Sequence, residues 1–235
     1  MLDWGGAMGL WSPIPNPALC LVRQKLWRDS DERFLRFVIE STPEYEEAFS
    51  SARLNKYLVA CSGNTIKALT LYRHNIKLCQ KFYGILNIFE VVLRNAINAH
   101  YQRVFKDTDW VKNQMQLGGM IEHAPRKNEV LKIITTLRQN GRYTNDRVVS
   151  SVSFGFWTHL FTRQPYRLGG QNLLRIFPNR TAGLGQRAVF NELQEIKTFR
   201  NRIAHHEAIC FDENGIIDME RTQSKYALIL KYLTT

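Results

Sequence analysis

The chain has 235 residues, 44% of them hydrophobic, which is enough for one large domain or for a domain with an appendage. Lysine and arginine number 32 against 21 acidic residues, and the resulting net charge of +11 favours a polyanionic partner, most simply nucleic acid. No run of about 18 uninterrupted apolar residues occurs, so neither a transmembrane helix nor a membrane partner is predicted.

The cysteines and the N-terminus both point to the cytoplasm. The four cysteines form no C-x-x-C pair, which argues against a zinc ribbon and fits a reducing compartment. The first residues lack the basic cluster of a secretory signal, and three prolines interrupt the apolar stretch that follows. Residues 1–30, rich in glycine and proline, are predicted to be a poorly ordered extension, and residues 31–235 a single helical domain.

Helical patterns fill the first half of that domain. A weak helix is predicted over Leu21–Ile39, and Thr42-Pro43-Glu44 has the form of a helix start. Two short helices, Ala52–Cys61 and Thr65–Asn75, should follow. The longest pattern is Ile76–Phe105, in which large apolar residues recur at helical spacing, at Leu78, Phe82, Leu86, Phe89, Leu93 and Ile97.

Polar residues on this long helix form one candidate site. Glu90 and Arg94 are four residues apart in the order that favours an ion pair, so a structural pair and a phosphate-binding Arg94 held by Glu90 are both open. Asn95 follows Arg94 directly. His100 lies about 120° from Arg94 around the helix. It is a candidate for the same site, although a solvated histidine on the helix face is the favoured interpretation.

The second half of the chain alternates loops and helices. A loop is predicted over Asn113–Ala124, a helix from Pro125 to about Gln139, and an aromatic-rich helix over Val148–Thr162 whose rings belong to the core rather than to a base-stacking platform. Thr162–Gly185 is predicted to be a loop with a short helix near Gln171–Ile176. The arginines in and beside this loop either line a solvated surface or bind the RNA backbone, the candidates being Arg175, Arg180 and Arg187.

The most informative stretch is Glu192–Ile209, ELQEIKTFRNRIAHHEAI, which has the apolar period of a helix. Arginine can bind a phosphate with two hydrogen bonds, and histidine can accept or donate a proton near neutral pH. Asn201 and His205 share a helix face, whereas Arg200 lies about 140° from His205. Together, the polar residues of this stretch suit cleavage of a phosphodiester by the 2′-hydroxyl of RNA. These residues are Arg200, Asn201, Arg202, His205 and His206.

Simpler interpretations of this stretch remain open. Basic residues near a helix C-terminus interact favourably with the helix dipole, and the two histidines can be capping residues. A metal site at His205, His206, Glu207 and Asp212 is disfavoured because adjacent histidines point to different faces and H-E-x-x-H is absent. No Walker loop, G-x-G-x-x-G or G-x-S-x-G occurs, so no nucleotide cofactor is predicted.

Three sequence blocks resemble a known family. RNRIAH at Arg200–His205 has the R-N-x-x-x-H form of the HEPN superfamily of ribonucleases and nucleic-acid-binding domains. With VVSSVSFGFWTHLF at Val148–Phe161 and the blocks within Ser51–Tyr101, it resembles the Abi-like (AbiD/AbiF-type) abortive-infection proteins. The resemblance covers about Ser51 to the C-terminus, and its E-x-x-x-R-N pattern is matched at Glu90, Arg94 and Asn95.

The resemblance implies an all-α, elaborated HEPN-like helical bundle and a metal-independent endoribonuclease of a toxin–antitoxin or phage-defence system. His205 would act as the acid or base, Arg200 would stabilise phosphate charge, Asn201 would orient either group, and Arg202 would bind RNA. His206 is a candidate second acid or base. The implied partners are an RNA substrate, a second copy of the chain with the two motif helices facing, and an RNA or protein antitoxin.

Two other functions remain open at this stage. One is a non-catalytic RNA-binding module, or a regulatory protein that binds an RNA antitoxin. The other is a structural bundle whose motif helix serves only to dimerise.

Overall fold

The computed structural model describes residues 51–233, and within this range the secondary structure is helical, apart from one isolated bridge between Phe211 and Ile217. The prediction of an all-α bundle is therefore confirmed for the described part of the chain. The predicted extension over residues 1–30, the weak helix over 21–39 and the helix start at Thr42 lie outside it. The chain divides into two compact units, with the boundary between Ile76 and Lys77.

The described residues form nine α-helices and one short 3₁₀-helix, Leu173–Ile176. The α-helices are α1 Ser51–Ala60, α2 Thr65–Phe105, α3 Trp110–Asn113, α4 Lys127–Gln139, α5 Asn145–Ser151, α6 Phe154–His159, α7 Arg163–Leu168, α8 Gln186–Ala204 and α9 Met219–Leu233. None of these helices has both the length and the apolar character that crossing a membrane requires.

Helix α2 is longer than predicted. The sequence suggested separate helices on either side of Ile76, but the structure has one continuous helix of 41 residues. Neither glycine nor proline occurs between Thr65 and Ile76, so nothing there interrupts the ladder of backbone hydrogen bonds. Residues 77–105 of α2, which belong to the second unit, are therefore in one uninterrupted helix.

The predicted aromatic helix over Val148–Thr162 is instead two helices, α5 and α6. Val152 and Ser153 between them have extended backbone, with ψ angles of 137° and 154°. Ser153 precedes α6 at the N-cap position, where serine is favoured and extended dihedrals are usual. The rings are nevertheless buried as predicted, with Phe154 5% exposed and Phe156 and Trp157 fully buried.

Helix α7 lies in a stretch that was predicted to be a loop because it contains Pro165. That proline is the third residue of the helix, where the backbone N–H groups have no partner within the helix. Proline therefore costs α7 no hydrogen bond and is compatible with its first turn. The short helix predicted near Gln171–Ile176 is the 3₁₀-helix.

Helix α8 contacts α6 on one side and α9 on the other. Its apolar stripe, Val189, Leu193, Ile196, Phe199 and Ile203, is buried. Towards α6, the side-chain amide of Gln194 donates to Thr158 Oγ1 at 3.2 Å. Towards α9, the Glu192 carboxylate accepts hydrogen bonds from Lys231 at 2.8 Å and from the Tyr232 hydroxyl at 2.5 Å.

Two cysteines lie behind the end of α8. Cys79 on α2 and Cys210 after α8 are close enough to interact electrostatically, and Cys210 is 3% exposed. Burial raises the pKa of the Cys210 thiol to about 11. Both groups are therefore thiols rather than thiolates at neutral pH.

Candidate functional site

The helix that carries the R-N-x-x-x-H motif ends at Ala204, earlier than predicted. His205 is its C-cap, and its N–H donates to the Asn201 carbonyl at 2.9 Å. The next two N–H groups turn back, from His206 to Ile203 at 3.0 Å and from Glu207 to Arg202 at 2.8 Å. These bonds form a Schellman motif, which ends the helix and leaves the His205 side chain exposed at its last turn.

His206 occupies the position of this motif that usually holds glycine. Its φ angle is +57°, in the left-handed region where a Cβ is unfavourable. Nothing in the sequence signalled this, because no glycine follows the helix. The backbone turn also separates the two imidazoles, since His205 is at the end of the helix and His206 is beyond it.

We expect His206→Gly to stabilise the protein by about 1 kcal/mol, because glycine adopts this backbone conformation without the steric cost. Thermal unfolding should show a rise in Tm of about 2–4 °C for a chain of this size. His205→Gly is the matched control, because its φ of −89° carries no such cost and the substitution should not stabilise. An unchanged or lower Tm for His206→Gly would contradict the expectation.

Arg202 holds the turn together. Its Nε lies 3.2 Å from Glu207 Oε2, and its Nη2 donates to the Ala208 carbonyl at 2.7 Å. The Arg202 guanidinium thus connects the segment after α8 to the last turn of that helix. These contacts give Arg202 a structural task, and its predicted RNA binding stays a prediction without support from the geometry.

Arg200 contacts the other candidate site. Its Nη2 lies 3.6 Å from Glu90 Oε2 on α2, with the arginine side chain 40% exposed. No ion pair between Glu90 and Arg94 is present among the described residues, so the structural pair, one of the two alternatives that the sequence left open, is not observed. The reason is tertiary, because the packing of α8 on α2 brings a second guanidinium to Glu90 from a distant part of the sequence. Phosphate binding by Arg94 stays a prediction.

Arg94 is directed towards the end of α5. Its Nη1 donates to the Ser150 carbonyl at 3.4 Å, and its buried Nε finds no hydrogen-bond partner among the described residues. It is therefore a partly buried, weakly satisfied cation one helical turn from Glu90. Asn95 is exposed beside it. The two predicted motifs thus meet at Glu90, with Arg94 on one side and Arg200 on the other.

His100 is not the solvated histidine that the sequence favoured. It is 5% exposed, and its Nε2 lies 2.6 Å from Asn172 Oδ1, 72 residues away. Burial lowers the pKa of His100, with Arg103 and Arg175 acting in the same direction and the Asn172 contact opposing them. The loop that carries Asn172 covers the face of α2 on which His100 lies, and the apolar periodicity of α2 alone does not predict this.

This burial predicts a loss of stability in mild acid. Because the folded pKa of His100 is below its unfolded value, the unfolded chain takes up the proton first, and stability falls as the pH drops below about 6.5. We expect His100→Gln, which keeps an amide donor towards Asn172, to weaken this dependence in urea unfolding measured from pH 7 to pH 5. The exposed His74→Gln is the control and should keep the wild-type slope.

The three arginines in and beside the predicted loop differ from one another, and Arg187 belongs to α8. Arg175 and Arg187 are exposed, whereas the Nη1 of Arg180 donates to the Leu174 carbonyl at 3.3 Å and so supports the 3₁₀-helix. Exposure fits either a solvated surface or an RNA contact. Their predicted RNA binding stays a prediction.

A further group of basic residues was not assigned to a candidate site by the sequence analysis. Lys197 on α8 lies one turn before Arg200, Arg126 precedes α4, and His159 ends α6. Desolvation lowers the pKa of Lys197, and the like charge of Arg126 lowers it further. Lys197 in turn adds to the burial that lowers the pKa of His159. The available signal was the i, i+4 spacing of Lys197 and Asn201, which puts both on one helix face.

This arrangement offers two kinds of chemistry. Guanidiniums and a lysine can bind phosphate oxygens, and the exposed imidazole of His205 can transfer a proton. Within residues 51–233, no group of three His, Cys, Asp or Glu side chains is placed to hold a metal ion. The His205, His206, Glu207 and Asp212 stretch forms no such group there either.

Comparison with family models, curated proteins and solved structures yields no match to this chain. The resemblance to Abi-like proteins therefore stays a prediction from the sequence blocks quoted above.

Proposed function

We propose that the protein is a metal-independent endoribonuclease whose active site is built on Arg200, Asn201 and His205. The observation that supports it most is the contact of Arg200 with Glu90, because it joins the two sequence motifs at one partly exposed place beside Arg94. Neither Arg200 nor His205 is walled into the core, so a polyanion can reach both.

In the proposed reaction an imidazole removes the proton of the ribose 2′-hydroxyl. The 2′-oxygen then forms a bond to phosphorus, and the bond from phosphorus to the 5′-oxygen breaks as that oxygen takes up a proton. Arg200 stabilises the charge that develops on the non-bridging oxygens. Asn201 orients the imidazole or the phosphate. The products are a 2′,3′-cyclic phosphate and a free 5′-hydroxyl.

Glu90 holds the guanidinium of Arg200 in place until substrate arrives. A partly exposed pair at this distance contributes less than about 1 kcal/mol to stability, so a phosphate can displace the carboxylate at little cost. In this proposal Arg94, one turn along α2, binds a second oxygen of the same phosphate or of its neighbour.

A homodimer supplies the second imidazole in this proposal, since in-line displacement needs a base on one side and an acid on the other. The face of α2 beside Arg94 supports it. Apolar or small residues there recur at the heptad spacing of interacting helices and are exposed, namely Gly84, Ile88, Val91, Val92 and Ala99, with Asn95 among them.

The first experiment analyses the ends of the products of RNA cleavage with EDTA present. A 2′,3′-cyclic phosphate is expected, and a rate that rises more steeply than in proportion to protein concentration would support the dimer. RNA binding without cleavage, with a steep dependence on salt, would favour the non-catalytic alternative. Absence of RNA affinity would leave a structural bundle.

The second experiment tests the proposed biological setting. Expression of the wild-type chain should arrest growth, and His205→Ala should relieve the arrest. Arrest that persists with His205→Ala would contradict the assignment of the toxic activity to this site.

A further inference from the structure

Beyond the proposed catalytic residues, a separate basic cluster lies where α4, α6 and α8 approach one another. Its members are Arg126, Lys197 and His159, and none of them belongs to the R-N-x-x-x-H motif. Two structural contacts bring them together. Gln194 on α8 binds Thr158 on α6 at 3.2 Å, which places Lys197 and His159 on adjacent turns of the two packed helices.

The second contact fixes Arg126. A Cβ on Gly155 would lie 3.0 Å from the Nε of Arg126 and 3.2 Å from its Nη2, so the guanidinium lies directly against the α6 backbone. Its Nη1 also binds Glu129 at 2.7 Å, which orients it without neutralising the other cations. The Arg126 side chain is 51% exposed, so its guanidinium lies against α6 and is also open to an anion from solvent.

The balance of charge around these residues favours an anion. Arg126 and Lys197 carry two positive charges, whereas Glu129, which binds Arg126, carries one negative charge. The strongest charge acting on Lys197 is that of Arg126, which is repulsive. When packing holds like charges close together, a polyanion that binds between or across them reduces their mutual repulsion.

Lys197 is also correctly placed relative to the proposed site. It precedes Arg200 by three residues, about 4.5 Å along the α8 axis, and it shares a face with Asn201. Lys197 and Arg200 are thus separated by one helical turn, a spacing that neighbouring phosphates of one strand can match.

We infer that Lys197 and Arg126 form a second phosphate subsite, which binds a phosphodiester of single-stranded RNA on one side of the scissile linkage. This inference rests on the proposed ribonuclease function and deepens it. The subsite sets the direction in which the strand leaves the active site, from the end of α8 towards α6. It also predicts that the enzyme prefers oligonucleotides over dinucleotides.

The test uses the full chain with His205→Ala, so that RNA stays intact, and measures binding of a fluorescent single-stranded decanucleotide at several salt concentrations. Lys197→Gln should reduce the slope of log K against log salt by about 0.7, the value for one phosphate contact on a single strand. Lys197→Arg should restore it. The matched control is Lys81→Gln, at an exposed lysine of α2 that no contact connects to Lys197 or Arg126 among the described residues, and it should leave the slope unchanged.

A second measurement separates a binding role from a structural one. With His205 present, Lys197→Gln and Arg126→Gln should lower kcat/KM for the decanucleotide several-fold more than for a dinucleotide, because only the longer strand reaches the subsite. Equal losses for the two lengths, or a salt slope equal to that of Lys81→Gln, would overturn the subsite.

The outcomes distinguish the two proposals. Cleavage by the wild-type chain with no effect of Lys197→Gln removes the subsite and leaves the ribonuclease. Binding that weakens with Lys197→Gln but no cleavage removes the ribonuclease and retains the subsite as part of an RNA-binding surface. Loss of both the binding and the cleavage signals overturns both.

Discussion

His205→Ala should lower the rate of RNA cleavage by about 10²- to 10⁴-fold, the usual contribution of a general acid or base. Arg200→Ala should lower it by about 10²- to 10³-fold, because in the proposed mechanism this side chain stabilises the developing charge. Both side chains are exposed or partly exposed, so neither substitution should cost much stability. Cleavage is measured with EDTA present, and folding is checked by thermal unfolding.

His206→Gly is the matched control for these variants. It removes the neighbouring imidazole and relieves the left-handed backbone, so it should retain cleavage close to the wild-type rate. If His206→Gly were as inactive as His205→Ala, the catalytic histidine would have been misassigned. If His205→Ala and Arg200→Ala both cleaved at the wild-type rate, the whole motif assignment would be wrong.

The second large effect is on stability, where Trp157→Ala should lower the free energy of unfolding by about 3–5 kcal/mol. Trp157 is fully buried on α6, with its ring centroid 5.0 Å from that of Phe156 and 6.4 Å from that of Trp110. Removing it leaves a cavity that the surrounding rings cannot fill. Urea unfolding followed by circular dichroism measures the loss.

Two further variants make the result specific. Trp157→Leu keeps more of the volume and should fold with a smaller loss, which allows RNA binding to be measured on a folded protein. Tyr83→Ala, at a residue 57% exposed, should change stability little. If folded Trp157→Leu lost RNA affinity while Tyr83→Ala did not, the packing of α6, rather than contact by the buried ring, would be needed for the RNA-binding surface.

The fold class and the burial of particular residues followed from local pattern. The stripe of α8 and the aromatic residues of α6 were placed correctly because period and ring size determine burial wherever a helix packs on a core. Helix ends were less predictable. The end of α8 depends on His206, which has a left-handed backbone conformation. The break before α6 depends on Val152 and Ser153, which are extended. None of these three residues is a glycine or a proline, so the sequence does not signal either helix end.

The site was only partly predictable, because its contacts join distant segments. The i, i+4 rule paired Glu90 with Arg94, but packing of α8 supplied Arg200 instead. His100 was placed in solvent because periodicity cannot foresee that the loop carrying Asn172 covers it. Lys197 belongs to no motif, and the packing of α6 and the segment before α4 adds His159 and Arg126 to its neighbours.

The burial of Cys210 gives the molecule a built-in reporter. Cys210 lies in the segment that follows α8. Because its thiol is buried and is protonated at neutral pH, an alkylating reagent reacts with it only when this segment opens transiently. The labelling rate at Cys210 therefore measures the free energy of local opening just behind His205. A ligand that binds the closed form protects the thiol in proportion to its occupancy, so candidate RNA ligands can be ranked by the labelling rate alone.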